Sequence, residues 1–122
     1  MLIEHKQIDL RRSVDKDVYF VIEHFVVPQD LEELTLTIEE PDFPISVLLL
    51  YDSQHILRAE GRNIEHSLQI RIAEAEHQTS LGARWGLIPA GEWIMAMEVP
   101  IEVQPETWTC NYTIEGNRLY AR

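Results

Sequence analysis

The sequence lacks the features that mark a disulfide-rich, nucleic-acid-binding or membrane-spanning protein. Its 122 residues include one cysteine, Cys110, which excludes an intramolecular disulfide. There are 10 lysines and arginines against 21 aspartates and glutamates, a formal net charge of −11. Nucleic acids and anionic membranes attract basic surfaces, so the charge predicts neither partner. Apolar runs such as residues 47–51 are too short to cross a bilayer.

Motifs for catalysis are also scarce. The five glycines are dispersed and form no phosphate-binding loop, and no serine lies in a Gly-x-Ser-x-Gly turn. Cys110 has no Lys, Arg or His within five residues to activate its thiol. We therefore predict a protein that is not an enzyme and needs no cofactor. The charged N-terminus resembles no signal peptide, so the predicted location is cytoplasmic.

What the sequence does contain is apolar residues that alternate with polar ones. We predict strands over residues 17–27, 31–39, 45–52, 55–60, 68–75, 93–99 and 107–115, with turns at 28–30, 52–54 and 61–63. In the last strand Cys110 lies between Trp108 and Tyr112, as a buried thiol would. The length fits one domain over residues 1–122. The pattern predicts an all-β fold, an antiparallel β-sandwich or a barrel with about seven to nine short strands.

The strand at residues 17–27 is apolar on both faces. One face carries Val18, Phe20, Ile22 and Val26, and the other carries Tyr19, Val21, Phe25 and Val27. Such a strand is either central or has its outer face covered. A second copy of the chain is one such cover, so the pattern favours self-association as a homodimer. His24 shares the first face, where we expect a hydrogen-bonded core or interface histidine.

The segment at residues 82–93, GARWGLIPAGEW, is the most concentrated polar and aromatic feature. Tryptophan and arginine dominate binding hot spots, and turn-rich segments often bind partners. We therefore predict a binding surface at Arg84, Trp85 and Glu92. Structural roles are the alternative, with Trp85 capping the sandwich and Arg84 neutralising nearby acids. Trp93 begins an apolar strand face and is predicted to be core.

Four of the five histidines directly follow a glutamate, which suggests a metal site. The best local candidates are His66, Glu74, Glu76 and His77. Adjacent residues of a strand point to opposite faces, so a Glu-His pair cannot place both side chains in one site. A solvated acidic edge is the alternative.

The segment from Ser80 to Trp93, SLGARWGLIPAGEW, resembles the P-G-x-x-x-G-x-[IL]-x-x-G-x-W segment of a known domain. That domain is the N-terminal β-sandwich of CehA/McbA-type metallohydrolases of the PHP superfamily. The stretch ISVLLLYDSQ, residues 45–54, is similar to its strand that ends in a D-x-x-G-type turn. Departures occur at residues 58–62, where only Arg58 and Gly61 match R-G-W-S-G, and at residues 78–82. The resemblance implies a jelly-roll-like sandwich without the metal-binding catalytic domain.

Three functions are compatible with these features. The first is an accessory or interaction domain that binds a protein partner or a second copy of itself. The second is a metal-binding protein or hydrolase that uses the acidic and histidine cluster. The third is a carbohydrate-binding module with Trp85 or Trp93 as its stacking platform.

Overall fold

The protein folds as two antiparallel four-stranded sheets packed face to face. A computed structural model describes residues 1–11, 18–41, 44–100 and 107–118. Their strands are β1 (Leu2–Arg11), β2 (Val18–Val27), β3 (Glu33–Ile38), β4 (Ile45–Tyr51), β5 (Leu57–Ile64), β6 (Leu68–Ala73), β7 (Gly91–Pro100) and β8 (Thr107–Asn117), and a 3₁₀ turn, Glu76–Gln78, follows β6. The predicted all-β sandwich with seven to nine strands is confirmed.

The order of the strands is that of a jelly roll. Sheet A has the order β1-β8-β3-β6 and sheet B the order β2-β7-β4-β5. Every connection except the β4–β5 hairpin passes from one sheet to the other, which gives the jelly-roll arrangement. Strand β1 lies against β2, and β5 against β6. The sandwich therefore has a β1/β2 side and a β5/β6 side.

Apolar side chains fill the space between the sheets, and alternation predicted the inward face of β3, β7 and β8 but named none for β4. The central strands contribute side chains that are at most 2% exposed: Leu34, Leu36, Ile38, Ile45, Leu48, Leu50, Trp93, Met95, Met97, Cys110, Tyr112 and Ile114. Burying each large apolar side chain contributes roughly 1.5–3 kcal/mol. The period of two in the sequence therefore placed the core correctly, and the thiol of Cys110 is buried as predicted.

The two outer faces of the sandwich differ in chemistry. Sheet A presents polar side chains from its central strands, including Thr35, Thr37, Asn111 and Thr113. On the outer face of sheet B, strand β2 exposes an apolar row formed by Phe20 (76% exposed), Ile22 (52%) and Val26 (69%). The inward face carries Val21, Phe25 and Val27, so the predicted division of β2 into two apolar faces is confirmed for the described side chains, which do not include those of Val18 and Tyr19. That a second copy covers the outer one stays a prediction.

Three expectations need correction. The turn predicted at residues 61–63 is wrong, because β5 continues to Ile64 and Gly61 pairs with Leu48. No strand was expected at residues 2–11, since β1 carries charged residues in place of a clear alternation. His24 is hydrogen-bonded as predicted, to Glu92, but it lies on the exposed face of sheet B and not in the core, so an interface role for it stays a prediction.

Candidate functional site

The loop between β6 and β7, residues 74–90, crosses the β5/β6 side and one end of the sandwich. Its backbone is tied to both neighbouring edge strands. The N–H of Arg84 donates to the carbonyl of Arg58 in β5 at 2.7 Å, and the N–H of Ser80 donates to the carbonyl of Arg71 in β6 at 2.9 Å. The loop is therefore hydrogen-bonded to one edge strand of each sheet.

A buried ion pair lies beneath this loop. Arg58 and Asp52 are 4% and 2% exposed, and 3.2 Å separates Nη1 of Arg58 from Oδ2 of Asp52. The other carboxylate oxygen of Asp52 accepts the N–H groups of Gln54 and Ile56 at 2.8 and 3.1 Å, which shapes the β4–β5 hairpin. Both charges are therefore compensated, as burial requires.

The guanidinium of Arg58 also holds the loop. It donates to the carbonyl groups of Arg84 (3.2 Å), Gly86 (3.1 Å) and Leu87 (2.8 Å). Its Cζ atom lies 5.6 Å from the ring centroid of Trp93, within the range of a cation–π contact. A planar group with five donors suits this task, which a lysine could not perform.

The corner that leads from the loop into β7 is fixed in a similar way. Trp93 is fully buried, and its indole N–H donates to the carbonyl of Pro89 at 2.9 Å. The hydroxyl of Ser53 donates to the carbonyl of Ala90 at 2.7 Å. Gly91 has φ +119°, and a Cβ there would lie 3.0 Å from the Cβ of Ser53. Trp93 is buried in the core as predicted. The alternative that sugars stack on its ring is therefore wrong.

Arg84 and Trp85 are exposed on top of this fixed backbone. They line a cavity of about 510 Å³, here named the loop cavity, together with the polar side chains of Asp30, Gln54 and Glu74. Trp85 is 52% exposed. Among the described residues no carboxylate forms an ion pair with Arg84, so the expected neutralisation of neighbouring acids is not observed there.

Glu92, the third predicted binding residue, lies apart from the loop cavity. It is on the outer face of sheet B, where its Oε1 is 3.1 Å from Nδ1 of His24. The two side chains are 61% and 51% exposed. The structure therefore brings Arg84 and Trp85 together but leaves Glu92 with the apolar face of β2.

The four predicted metal ligands are not brought together. His66 lies in the turn before β6 and contacts Glu40 at 3.5 Å. Glu74, Glu76 and His77 follow the other end of β6. Six extended residues separate the two groups by roughly 20 Å. Within the described ranges, no three His, Cys, Asp or Glu residues are placed to hold a metal ion.

A second buried charge, missed in the sequence, lies on the β1/β2 side. Glu23 is 9% exposed and points inward from β2. Its Oε1 lies 2.7 Å from Nζ of Lys6 in β1 and accepts the hydroxyl of Tyr112 in β8 at 3.0 Å. The hydrogen bond and charge of Glu23 raise the pKa of Lys6. Burial, and next the hydrogen bond to Glu23, raise the pKa of Tyr112 well above its ordinary value of 10.0.

Of the buried charged residues in the described part of the chain, Glu23 had a signal in the sequence, because it occupies an inward position between Val21 and Phe25. A lone charge in an inward row is a sign of a buried polar network. Its partners come from other strands, so pattern alone could not identify them.

Comparisons of the chain with protein-family models, curated proteins and solved structures found no match. In the described part of the chain, no helix is long and apolar enough to cross a membrane.

Proposed function

We propose that the protein is a non-enzymatic interaction domain that binds a protein partner at the loop cavity through Arg84 and Trp85. The observation that carries the proposal is that two exposed hot-spot side chains stand on a backbone already held by Arg58. A preformed loop loses little conformational entropy on binding, which favours affinity. Tryptophan and arginine are also the side chains whose loss weakens interfaces most.

The charges around the loop cavity indicate what the partner carries. The guanidinium of Arg84 forms no ion pair with any described residue and is suited to a carboxylate. Asp30 and Glu74 line the same cavity and suit a basic or hydrogen-bond-donating group. We therefore expect a partner segment with charges of both signs around an apolar group that packs on Trp85. The cytoplasmic location predicted from the N-terminal sequence stays a prediction.

The test is affinity capture from an extract of the source cells, followed by binding measurements with the purified partner. Trp85→Ala and Arg84→Ala should each weaken binding by roughly 30-fold, the loss expected for a hot-spot residue. His66→Ala, at the opposite end of the sandwich, is the matched control and should bind normally. A partner that binds equally to Trp85→Ala would refute the proposal.

A second candidate function is carbohydrate binding, favoured by the half-exposed ring of Trp85 beside polar side chains. Titration with a panel of oligosaccharides should change the fluorescence of Trp85 if a sugar stacks on it. Trp85→Phe identifies that signal against buried Trp93. Unchanged fluorescence and no heat in calorimetry would dispose of this candidate.

The resemblance to the N-terminal domain of CehA/McbA-type metallohydrolases suggests one class of partner. The resembling segment from Ser80 to Trp93 includes most of the loop and the corner into β7. We propose that the domain acts beside a separate PHP-type catalytic subunit. A neighbouring gene that encodes such a subunit, and its binding to wild-type protein but not to Trp85→Ala, would support this role. Normal binding to Trp85→Ala would contradict it.

A further inference from the structure

The edges of β5 and β6 are closed by the chain itself. The carbonyl of Arg58 and the N–H of Glu60, both in β5, bond to the N–H of Arg84 and the carbonyl of Gly82. In β6, the carbonyl of Ala73 accepts the N–H of Gly86 at 2.9 Å. Along these residues, neither strand can pair with another chain unless the β6–β7 loop leaves.

Strand β1 is protected by charge. Glu4, Lys6 and Asp9 lie along it, and the side chain of Lys6 reaches inward to Glu23. Charged side chains on an edge, above all lysines and inward-pointing charges, oppose pairing with a second strand because pairing would desolvate them. The edge of β1 therefore disfavours added strands.

Strand β2 has neither protection. It extends over ten residues, VYFVIEHFVV, of which only Glu23 and His24 are titratable apart from Tyr19. Glu23 is an inward charge, but it is already neutralised by Lys6 and buried. A long apolar edge strand is the kind of edge that pairs with another chain.

The direction of the free backbone groups follows from one row across sheet B. The row runs from Glu60 through Leu49 and Ala96 to Ile22. The N–H of Glu60 donates to the loop, away from β4. In an antiparallel sheet the residues of a row alternate between hydrogen-bonded and non-bonded pairs. Leu49 therefore bonds to Ala96, and the N–H and carbonyl of Ile22 point away from β7.

The same orientation recurs every second residue along β2. Phe20, His24 and Val26 therefore also direct their backbone groups to the free edge. These are the residues whose side chains form the exposed outer row of β2. Within the described part of the chain, no other backbone pairs with this edge. Unpaired backbone groups and exposed apolar side chains thus coincide.

We propose that the edge of β2 pairs with β2 of a second copy of this chain, in antiparallel orientation, to form one continuous eight-stranded sheet. A two-fold axis makes such pairing self-complementary. Centred on Ile22, it places Val21, and not a second glutamate, opposite Glu23. Two acidic copies repel over most of their surfaces, but this edge carries almost no unpaired charge. The apolar rows of both copies then form one surface on the outer face.

Sedimentation velocity of the full chain at increasing concentration is the first test, and a dimer is expected. Ile22→Pro removes an edge-facing N–H without breaking the ladder to β7, so it should raise the dissociation constant of the dimer by about tenfold or more. Ile22→Thr keeps that N–H and should have the smaller effect. Far-UV and near-UV circular dichroism would check that each variant stays folded. A wild-type monomer at the highest concentration, or a dimer unaffected by Ile22→Pro, would overturn the proposal.

Disulfide cross-linking tests the register of the paired strands and excludes association through sheet A. At the centre of the paired strands two Ile22→Cys residues would have Cα atoms about 5.5 Å apart, within reach of a disulfide. Oxidation should then convert this variant to a covalent dimer, while Gln7→Cys on sheet A should remain monomeric under denaturing conditions. The native Cys110 is buried and does not compete. Equal cross-linking of both variants would contradict the predicted register.

Discussion

Each side of the sandwich has an ion pair with at least one buried charge, but the two pairs have different roles. On the β5/β6 side, Arg58 and its partner Asp52 are almost fully buried, and Arg58 also binds three loop carbonyls. On the β1/β2 side, Glu23 is buried but its partner Lys6 is 52% exposed. The Arg58–Asp52 pair holds the loop that covers the β5/β6 side. The Lys6–Glu23 pair links the edge strands β1 and β2 but covers the edge of neither.

The chain itself covers strand edges on the β5/β6 side, whereas among the described residues no loop covers the β1/β2 side. A fully buried ion pair fixes geometry, because removing either charge leaves the other uncompensated. The half-exposed pair links β1 in sheet A to β2 in sheet B, and its lysine keeps contact with water. The closed side therefore displays a preformed cavity, and the other side leaves a strand edge for pairing.

The largest expected effect comes from breaking the closed side. Arg58→Met would leave Asp52 as a buried, unpaired charge and would free the carbonyls that hold the loop. We expect the free energy of unfolding in urea to fall by about 3–5 kcal/mol. The loop cavity should open, with greater quenching of Trp93 fluorescence by acrylamide.

The matched control for that change is Arg62→Met. Arg62 forms an ion pair with Glu60 at 2.6 Å, but its side chain is 63% exposed. Its loss should change the free energy of unfolding by less than roughly 1 kcal/mol. Equal losses for both variants would show that burial is not what gives the Arg58 pair its effect.

An intermediate effect is expected on the other side. Tyr112→Phe removes the hydroxyl that donates to Glu23 while keeping the buried ring. A hydrogen bond to a charged group contributes about 1.5–3 kcal/mol, and we expect a loss of that size in urea unfolding. A variant as stable as wild type would show that Lys6 alone satisfies Glu23.

The same network predicts a loss of stability in alkali. Tyr112 and Lys6 hold their protons more tightly in the folded protein than at their ordinary pKa values of 10.0 and 10.5. Their contribution is complete below pH 10, and it is lost as the pH rises because unfolding then releases protons. Tyr112→Phe should flatten this fall. A parallel pH profile for both proteins would contradict the assignment.

The smallest effect belongs to the exposed pair on the outer face of sheet B. Glu92→Gln removes the charge that faces His24, and both side chains are more than half exposed. Its effect on the free energy of unfolding should be below roughly 1 kcal/mol and should vanish in high salt. A larger, salt-resistant loss would indicate that the pair is buried in solution and that a partner covers the outer face of sheet B.

The fold was largely predictable because strands repeat with a period of two. The local alternation is enough to identify the inward face of β3, with Leu34 and Leu36, and of β7, with Met95 and Met97. Strand β1 was not predicted because its inward position at Lys6 is charged. That position is explained only by the ion pair with Glu23, which lies on another strand. The β5 turn was misplaced because Gly61 is a turn signal that here lies in a strand.

The candidate site was predicted in part. Arg84 and Trp85 stood out by composition and do lie together, whereas Glu92 was grouped with them only by its place in the sequence. The metal cluster failed because residues close in sequence lie at opposite ends of β6. Arg58 is 26 to 29 positions from the loop carbonyls that it binds, and no local pattern reports such a contact.

The sequence by itself determined the strands, their inward faces and the corner at Pro89 and Gly91, because alternation and backbone restriction act within a few residues. Only the tertiary structure decided which edges the loop closes, where Arg58 and Glu23 find partners, and that the backbone groups of Ile22 point away from β7. Those properties depend on strands distant in sequence that meet only when both sheets have formed.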